Sequence, residues 1–576
     1  MKIEIAKSAG FCMGVRRAVE LVLDAANKYP APIYTYGPLI HNPQVLSVLE
    51  EKGISVLKEI PDKGVGTVLI RAHGIPPETK EHLKKAGFSV IDATCPHVIK
   101  VQTIIRKYAR QGYQSIIIGD RDHPEVIGLL GYAGDNGIVV NDQEELEALP
   151  IFEKAIIVAQ TTQNSTFFSQ VTDWAKKMAP HYKLFNTICD ATERRQSEVR
   201  ELAAASDAMI VVGGRNSGNT NRLVEIVRKM GKPVFHVESE NELDSQALAD
   251  AQTIGITAGA STPSWIIKKV FRSLEHQLSK RRQGWRSALF ILQRNLLLTN
   301  IYLSMGAGAL CYACLKLQGM GTNVPVILIA MLYVLSMHIF NNLTGRRSTQ
   351  YNDPDRALYY KAHRTFLTLI ALIAGIVGLM TSFTLGWLSF MILLAMTITG
   401  ISYNLRFIPK GMSGGRYQRI RDIPGSKTVL IALAWGIICS IVPSLALKGS
   451  LGLTTALVFV WSVCMVFIRT AFFDILDMQG DRIVGRETIP ILLGERQTIK
   501  LLKILLLVSI AFLVIPNILR LMSGIGIGLT LSSFFLYAVI SRHGKDSMLP
   551  SIGLEFLVET HFILAGVITF LISRIP

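Results

Sequence analysis

The chain has 576 residues, a formal net charge of +17 and a hydrophobic fraction of 49%. This length predicts more than one domain. Seven cysteines in a chain this long argue against a disulfide framework. Much of the excess of lysine and arginine lies in loops between apolar segments, which is typical of membrane orientation, so we expect no nucleic-acid partner.

Composition divides the chain near residue 280. Up to about residue 278, short apolar runs alternate with amphipathic helical segments, as in α/β proteins. From residue 288 onward, apolar segments are long enough to span a bilayer. Residues 279–287 form a basic linker with one tryptophan, which indicates a juxtamembrane position on the cytoplasmic side. Residues 1–10 contain no long apolar run of the signal-peptide type, so we expect the first half to stay in the cytoplasm.

Three cysteines of the first half, Cys12, Cys95 and Cys189, share one local pattern of a short apolar strand, a polar turn and a helical repeat. Each thiol is thus predicted to lie beside the positive end of a helix, a position that lowers its pKa and favours the thiolate. A lone cysteine is more often a small buried core residue. Three cysteines in the same setting predict three similar α/β modules that each bring one thiol to a common point.

The other polar candidates of the first half also follow predicted strands. Ligands of α/β folds bind outside the carboxyl ends of parallel strands, so we expect these side chains to share one site with the cysteines. They are His41, His73, His123, Glu125, Thr161, Ser217, Asn219 and Ser261.

Two kinds of metal centre suit three thiolates that lack a Cys-x-x-Cys pair. One is zinc with a histidine or water as the fourth ligand. The other is a 4Fe–4S cluster in which three irons are ligated and the fourth is open. The surrounding histidines, hydroxyl groups and helix N-termini suit an anion such as a diphosphate. Glu125 is placed to supply a proton near the metal.

Several motifs of the first half together identify a family. They are Gly10-Phe11-Cys12-Met13-Gly14-Val15, Ala72-His73-Gly74, Asp92-Ala93-Thr94-Cys95-Pro96, His123-Pro124-Glu125, Gln160-Thr161-Thr162, Asn216-Ser217-Gly218-Asn219 and Thr257-Ala258-Gly259-Ala260-Ser261. In these motifs and in their order, residues 1–278 resemble 4-hydroxy-3-methylbut-2-enyl diphosphate reductase, the last enzyme of the methylerythritol phosphate isoprenoid pathway.

This resemblance implies roles for the candidate residues. Cys12, Cys95 and Cys189 would ligate a 4Fe–4S cluster with one open iron, and Glu125 would donate a proton. The residues implied to hold the substrate diphosphate are His41, His73, His123, Ser217, Asn219 and Ser261, with Thr161 near the substrate hydroxyl. Gly218 stands where some members carry a second serine, so only its backbone N–H is available to phosphate.

The reaction implied by the resemblance is reductive removal of the substrate hydroxyl as water. Its products are isopentenyl and dimethylallyl diphosphates. No Gly-x-Gly-x-x-Gly nucleotide motif follows a strand in the first half. We therefore expect the electrons to come from an external donor such as ferredoxin or flavodoxin.

The second half is predicted to be an all-α membrane domain with about nine transmembrane helices. The apolar segments lie near residues 288–316, 324–342, 365–384, 386–404, 427–446, 452–472, 499–519, 522–541 and 552–573. Loops after alternate segments are rich in lysine and arginine, which places them in the cytoplasm with the first half. The sequence thus predicts a multi-pass protein of the cell membrane that contacts lipid through its second half.

Three aspartates of the second half, Asp474, Asp477 and Asp481, share one helical face at a predicted membrane edge. Such clustered carboxylates suit Mg²⁺ that bridges a diphosphate. With Tyr403-Asn404-Leu405-Arg406 and the segment from Arg421 to Lys427, they resemble UbiA-type intramembrane prenyltransferases over residues 288–576. The resemblance implies that Lys427 contacts the diphosphate.

The resemblance breaks down at the first aspartate motif of that family. Asn342, Gly345 and Thr349 stand where the family carries acidic residues, so Asn342 offers only a neutral oxygen. The sequence therefore predicts a multifunctional enzyme, a reductase fused to a domain that transfers a prenyl group to an acceptor. Two alternatives stay open: a zinc hydrolase in the first half, and a non-catalytic membrane anchor or lipid-binding module in the second.

Overall fold

The computed structural model describes residues 2–244, 246–248, 251–281, 285–403, 419–543 and 552–574. The chain forms two compact units, residues 1–278 and 279–576, which are described separately. Residues 282–284 of the predicted linker and residues 404–406 of the predicted UbiA-type motif lie outside the described residues.

In its described residues the first unit contains twelve strands and ten α-helices, which alternate for most of its length. The strands are β1 Lys2–Ile5, β2 Ile33–Tyr36, β3 Ile54–Leu57, β4 Thr67–Ile70, β5 Ser89–Asp92, β6 Gln114–Ile118, β7 Gly137–Val140, β8 Ala155–Ala159, β9 Lys183–Phe185, β10 Ala208–Val212, β11 Val234–Val237 and β12 Thr253–Ala258. The helices are α1 Met13–Lys28, α2 Pro43–Glu51, α3 Pro77–Lys85, α4 Pro96–Ala109, α5 Pro124–Ala133, α6 Gln143–Glu147, α7 Ser165–Met178, α8 Asp190–Ala205, α9 Gly218–Lys229 and α10 Ser264–Arg281.

The strands form three parallel sheets of four strands each, in the orders β3-β2-β4-β5, β7-β6-β8-β9 and β11-β10-β12-β1. Helices cover the faces of such sheets, so their central strands are continuous apolar runs; all five residues of β8 and of β10 are buried. The prediction of three similar α/β modules is confirmed. The modules are not strictly successive, however, because the N-terminal strand β1 pairs with β12 near the end of the unit.

This topology places equivalent loops in equivalent positions. The edge strands β5, β9 and β1 lead to Cys95, Cys189 and Cys12, and a helix begins directly after each cysteine. The neighbouring strands β4, β8 and β12 lead to the loops of His73, Thr161 and Ser261, and the next strands β2, β6 and β10 to those of His41, His123 and Ser217. The three modules therefore each contribute the same three kinds of loop.

In the described residues of the second unit, every regular element is a helix. Its helices are α11 Trp285–Leu298, α12 Ile301–Leu317, α13 Val324–Thr344, α14 Arg346–Asn352, α15 Pro354–Ala362, α16 Arg364–Thr384, α17 Trp387–Ser402, α18 Ser426–Gly436, α19 Val442–Lys448, α20 Leu453–Ile483, α21 Ile489–Leu493, α22 Glu495–Ile518, α23 Ile525–His543 and α24 Ile552–Ile572. A π-helical turn, Ile437–Ile441, joins α18 to α19.

Seven of these helices or helix runs are long and apolar enough to cross a membrane, and the number rises to eight if the pair α11–α12, bent by 72°, forms one span. The remaining predicted segment, near residues 386–404, corresponds to α17. This apolar helix has 16 residues and is short for a full span. Every predicted segment therefore corresponds to an apolar helix or helix pair. Large side chains such as Trp435, Trp461, Phe472 and Phe562 fill the interior between the helices.

Candidate active site

The three cysteines of the first unit line one cavity of about 90 Å³. All three thiols are free, and each cysteine is the residue that precedes the first turn of its helix. Each also donates its backbone N–H to the loop of the neighbouring strand: Cys12 to the carbonyl oxygen of Ala260 at 3.2 Å, Cys95 to that of Ala72 at 2.9 Å and Cys189 to that of Thr161 at 3.0 Å. The predicted convergence of the thiols thus arises from one bond repeated in three modules.

Close approach of two of these loops requires a glycine. A Cβ atom at Gly14 would lie 2.5 Å from Sγ of Cys95, well inside van der Waals contact. The missing side chain at Gly14 therefore leaves room for Cys95 beside Cys12. This explains why a glycine occupies the first turn of α1.

The expectation of lowered thiol pKa values is wrong for two of the cysteines. Burial raises the pKa of Cys95 and of Cys189, and although backbone N–H groups of the helices act in the opposite direction, they do not outweigh it. Mutual repulsion with Cys12 raises both values further. Three thiolates in this cavity therefore need a bound cation, which is the role of a metal centre.

Three histidines form the adjoining wall of the cavity. The ring centroid of His73 lies 5.1 Å from that of His41 and 5.2 Å from that of His123, and those of His41 and His123 are 6.0 Å apart. Burial, followed by the charge of Arg71, lowers the pKa of His41; burial and the neighbouring histidines lower the pKa of His73 well below its usual range. Burial and His41 lower the pKa of His123 to about 4. The rings are therefore neutral at physiological pH before an anion binds.

Several buried polar atoms of this wall have no hydrogen-bond partner among the described residues: Nε2 of His41, Nδ1 of His73 and Nδ2 of Asn219. Unpaired buried polar atoms are costly, and they indicate a polar ligand that completes their bonds. Ser217 and Ser261 lie beside them, with their hydroxyl oxygens 3.4 Å apart. Gly218 opens α9 next to His123, and a Cβ added there would meet only ordinary contacts, the nearest at 3.6 Å.

Glu125 is buried, with 1% of its surface exposed, and is bonded to Thr161 by both carboxyl oxygens. The backbone N–H of Thr161 donates to Oε1 at 2.7 Å and its hydroxyl donates to Oε2 at 2.8 Å. Burial raises the pKa of Glu125 to about 7, because the bonds from Thr161 offset only part of the lost hydration. The carbonyl of Thr161 also accepts the N–H of Cys189, so Thr161 is bonded both to Glu125 and to the loop that carries Cys189.

One functional candidate, Arg195, was not found from the sequence. It lines the cavity with the cysteines and is 3% exposed, whereas its neighbour Arg194 is exposed. The signal was present in the helical phase of α8, because Thr192, Val199 and Leu202 share its buried face at intervals of three and four residues.

In the second unit, Asp474 is fully buried on α20 and both of its carboxyl oxygens are bonded. Nζ of Lys427 lies 2.7 Å from Oδ1, and the hydroxyl of Thr428 donates to Oδ2 at 2.5 Å. Lys427 also experiences the charges of Asp477 and Asp481. All three predicted aspartates therefore act on Lys427, and the lysine implied to contact a diphosphate forms an ion pair with one of them.

Asp481 is also fully buried. Its Oδ1 accepts a hydrogen bond from Nδ2 of Asn352 at 2.9 Å and lies 3.9 Å from a guanidinium nitrogen of Arg486. Its Oδ2 has no hydrogen-bond partner among the described residues. Asn342 stands at the first acidic position of the first aspartate motif. Its amide nitrogen donates to the hydroxyl of Tyr360 at 3.4 Å, so its amide oxygen is the atom that could ligate a metal ion.

The two halves of the chain match two different protein families. The LytB protein family matches residues 3–275 and the UbiA prenyltransferase family matches residues 301–548. A 4-hydroxy-3-methylbut-2-enyl diphosphate reductase of Aquifex aeolicus is 44% identical over 271 residues, which cover 46% of this chain and 94% of that protein.

Two solved structures illustrate the two halves. The E-1-hydroxy-2-methyl-but-2-enyl-4-diphosphate reductase of Plasmodium falciparum is 31% identical, with a TM-score of 0.45 over 47% of this chain and 87% of that one. A UbiA homolog of Archaeoglobus fulgidus bound to GPP and Mg²⁺ is 15% identical, with a TM-score of 0.36 over 49% of this chain and 99% of that one.

Proposed function

This chain belongs to the family of 4-hydroxy-3-methylbut-2-enyl diphosphate reductases, the LytB proteins, and carries a UbiA prenyltransferase domain; on that premise we propose that its first unit reduces 4-hydroxy-3-methylbut-2-enyl diphosphate to isopentenyl and dimethylallyl diphosphates. The observation that supports this most is the convergence of three thiols, three neutral histidines and a buried carboxyl group on one cavity. The reaction consumes two electrons and two protons and releases the hydroxyl as water.

The residues of the cavity fit a 4Fe–4S cluster. Three free thiols face it, burial opposes the ionisation of Cys95 and Cys189 in the absence of a cation, and Arg195 supplies a positive charge in the same lining. Cys12, Cys95 and Cys189 would hold the cluster and leave one iron without a protein ligand. When bound, such a cluster supplies electrons and a Lewis-acidic iron.

The diphosphate is assigned to the histidine wall. His41, His73 and His123 are neutral when free, so each can donate an N–H to phosphate, and a bound anion would raise their pKa values and favour the charged form. The hydroxyls of Ser217 and Ser261, the amide of Asn219 and the N-terminus of α9 at Gly218 complete a set of donors. These groups orient the substrate with its hydroxyl toward the cysteines and Thr161.

Glu125 is assigned as the proton donor. With a pKa of about 7 it carries a proton in a large share of molecules at neutral pH, as a general acid must. The hydroxyl of Thr161 bridges Glu125 and the space that the substrate hydroxyl would occupy. An external donor such as ferredoxin or flavodoxin would supply the electrons.

The test is an anaerobic assay of the full chain with chemically reduced dye and substrate. We expect a brown, oxygen-sensitive protein with about one cluster per chain, and loss of turnover in Glu125→Gln with the cluster retained. A colourless protein that is active with zinc alone would refute the reductase and support the zinc hydrolase instead.

For the second unit we propose prenyl transfer from a prenyl diphosphate to an acceptor, in a multi-pass membrane domain, with the first unit in the cytoplasm. The buried carboxylates Asp474 and Asp481, with Asp477 between them on α20, are of the donor type that Mg²⁺ prefers. The Oδ2 of Asp481, which has no hydrogen-bond partner among the described residues, is the carboxylate oxygen available to such an ion. Lys427 and Asn342 would complete the diphosphate site.

A specific observation favours the rival function, a non-catalytic membrane module. Asp474 is already neutralised by Lys427, and the positions of the first aspartate motif hold no carboxylate. Mg²⁺-dependent incorporation of labelled prenyl diphosphate into lipid, abolished by Asp474→Ala and unaffected by Glu125→Gln, would establish the transferase. Absence of incorporation in a full chain with an active reductase would establish the rival.

A further inference from the structure

Arg195 is a buried cation whose hydrogen bonds go to uncharged acceptors. Its guanidinium group donates to two backbone carbonyls, from Nη1 to Ala258 at 3.0 Å and from Nη2 to Gly10 at 2.9 Å. Both acceptors are uncharged, and no carboxylate in the described part of the chain forms an ion pair with this residue. Glu198, one turn further along α8, bonds instead to Ser8, from the backbone N–H at 2.8 Å.

A buried charge that lacks a counter-charge destabilises a folded protein strongly, so a native structure retains one only where an anion compensates it. The groups that act electrostatically on the guanidinium of Arg195 are Cys12, Glu198 and Cys189, and two of these three are cysteines of the cavity. Three thiolates bound to an oxidised 4Fe–4S core leave a net negative charge, and each added electron increases that charge. The position of Arg195 therefore matches the reduced form of the centre better than the oxidised form.

We propose that Arg195 is the charge partner of the cluster and raises its reduction potential. This inference rests on the proposed function, because it assumes the cluster held by the three cysteines. Arg195 acts as a positioning residue through its charge, while its two bonds to Gly10 and Ala258 keep the guanidinium group at the floor of the cavity. The predicted result is an easier reduction by the external donor.

The experiment is a reductive titration of the full-length protein in detergent, followed by electron paramagnetic resonance. Arg195→Gln removes the charge and keeps amide donors, whereas Arg195→Lys keeps the charge and loses the planar fork. Arg194→Gln is the matched control, because it removes the same charge from the exposed neighbouring position. Iron content is measured for every variant.

We expect Arg195→Gln to make reduction about tenfold to a hundredfold less favourable, which converts to a potential about 60–120 mV lower at 59 mV per tenfold for one electron. Arg195→Lys is expected to change the equilibrium less than about threefold, and Arg194→Gln to leave it unchanged. Loss of the cluster in Arg195→Gln but not in Arg195→Lys would also support a charge role.

An unchanged potential in Arg195→Gln would overturn the inference while the reductase remains established. Loss of the cluster in both Arg195 variants, with retention in Arg194→Gln, would overturn it as well, because the guanidinium bonds to Gly10 and Ala258 would then be what matters. A wild-type protein that binds no iron would refute the proposed function itself.

Discussion

The pH dependence of reduction gives a direct test of the role of Glu125. Its pKa of about 7 in the free protein reflects burial opposed by two hydrogen bonds from Thr161. Because kcat/KM reports the ionisation of the free enzyme, a proton donor with this pKa makes kcat/KM fall as pH rises through 7. The protonated share drops from about 91% at pH 6 to about 9% at pH 8, so kcat/KM should fall about tenfold between them.

Thr161→Val should shift the pH at which kcat/KM falls, and the structure determines the direction of that shift. The substitution removes the 2.8 Å bond from the hydroxyl to Oε2 and leaves the backbone N–H bond to Oε1. The lost bond favoured the carboxylate, so its loss raises the pKa of Glu125. Taking a hydrogen bond to a charged group as about 1.5 kcal/mol, the midpoint moves up by about one pH unit.

The assay measures kcat/KM anaerobically from about pH 5 to about pH 9, which is about two units on either side of the expected midpoint. A viologen serves as the reductant, since its potential does not depend on pH. Thr162→Val is the control, because its hydroxyl accepts a hydrogen bond from Gln160 at 3.0 Å and has no bond to Glu125. A profile that is flat between pH 6 and 8, or a midpoint that Thr161→Val moves downward, would refute the assignment of Glu125 as proton donor.

Three further predictions concern packing and charge at the two sites. Gly14→Ala should release most of the iron, because its Cβ would lie 2.5 Å from Sγ of Cys95. The measurement is the iron content per chain, with Met13→Ala at the exposed neighbouring position as the control. Full retention of iron in Gly14→Ala would contradict the prediction. Gly218→Ser should lower KM for the diphosphate about threefold to tenfold with kcat unchanged in steady-state kinetics, since the site admits a Cβ and the new hydroxyl can bond phosphate; a higher KM would be inconsistent with the assigned site. Lys427→Met should lower the melting temperature of the second unit in detergent, because it leaves the buried carboxylate of Asp474 without its ion-pair partner, a cost of about 3 kcal/mol. Adding Asp474→Asn should restore the melting temperature. Equal melting temperatures of the single and double variants would argue against the ion pair.

Much of the candidate site could be predicted from local sequence. A strand, a turn and a helix are encoded within about fifteen neighbouring residues by apolar runs and by glycine and proline, so the settings of Cys12, Cys95 and Cys189 are visible without a structure. The apolar helices of the second half are visible for the same reason, since the bilayer thickness sets their length. Only the 16-residue α17 and the bend between α11 and α12 change the number of full spans.

The features that local sequence did not reveal depend on contacts between distant residues. The pairing of β1 with β12 brings Cys12 into the same sheet as the loop of Ser261, and no periodicity in either segment indicates it. Burial decided that the thiol pKa values of Cys95 and Cys189 are raised, because desolvation depends on everything packed around a group.

The sequence by itself determined the fold class of each half, the membrane helices and the residue types of the candidate site, because these follow from short-range patterns of apolar and polar residues. Only the tertiary structure decided which charges meet. It paired Lys427 with Asp474 and bonded Thr161 to Glu125, and it buried Arg195 beside the cysteines while its neighbour stayed exposed. Electrostatic interaction depends on distance and burial in three dimensions, and neither can be counted along the chain.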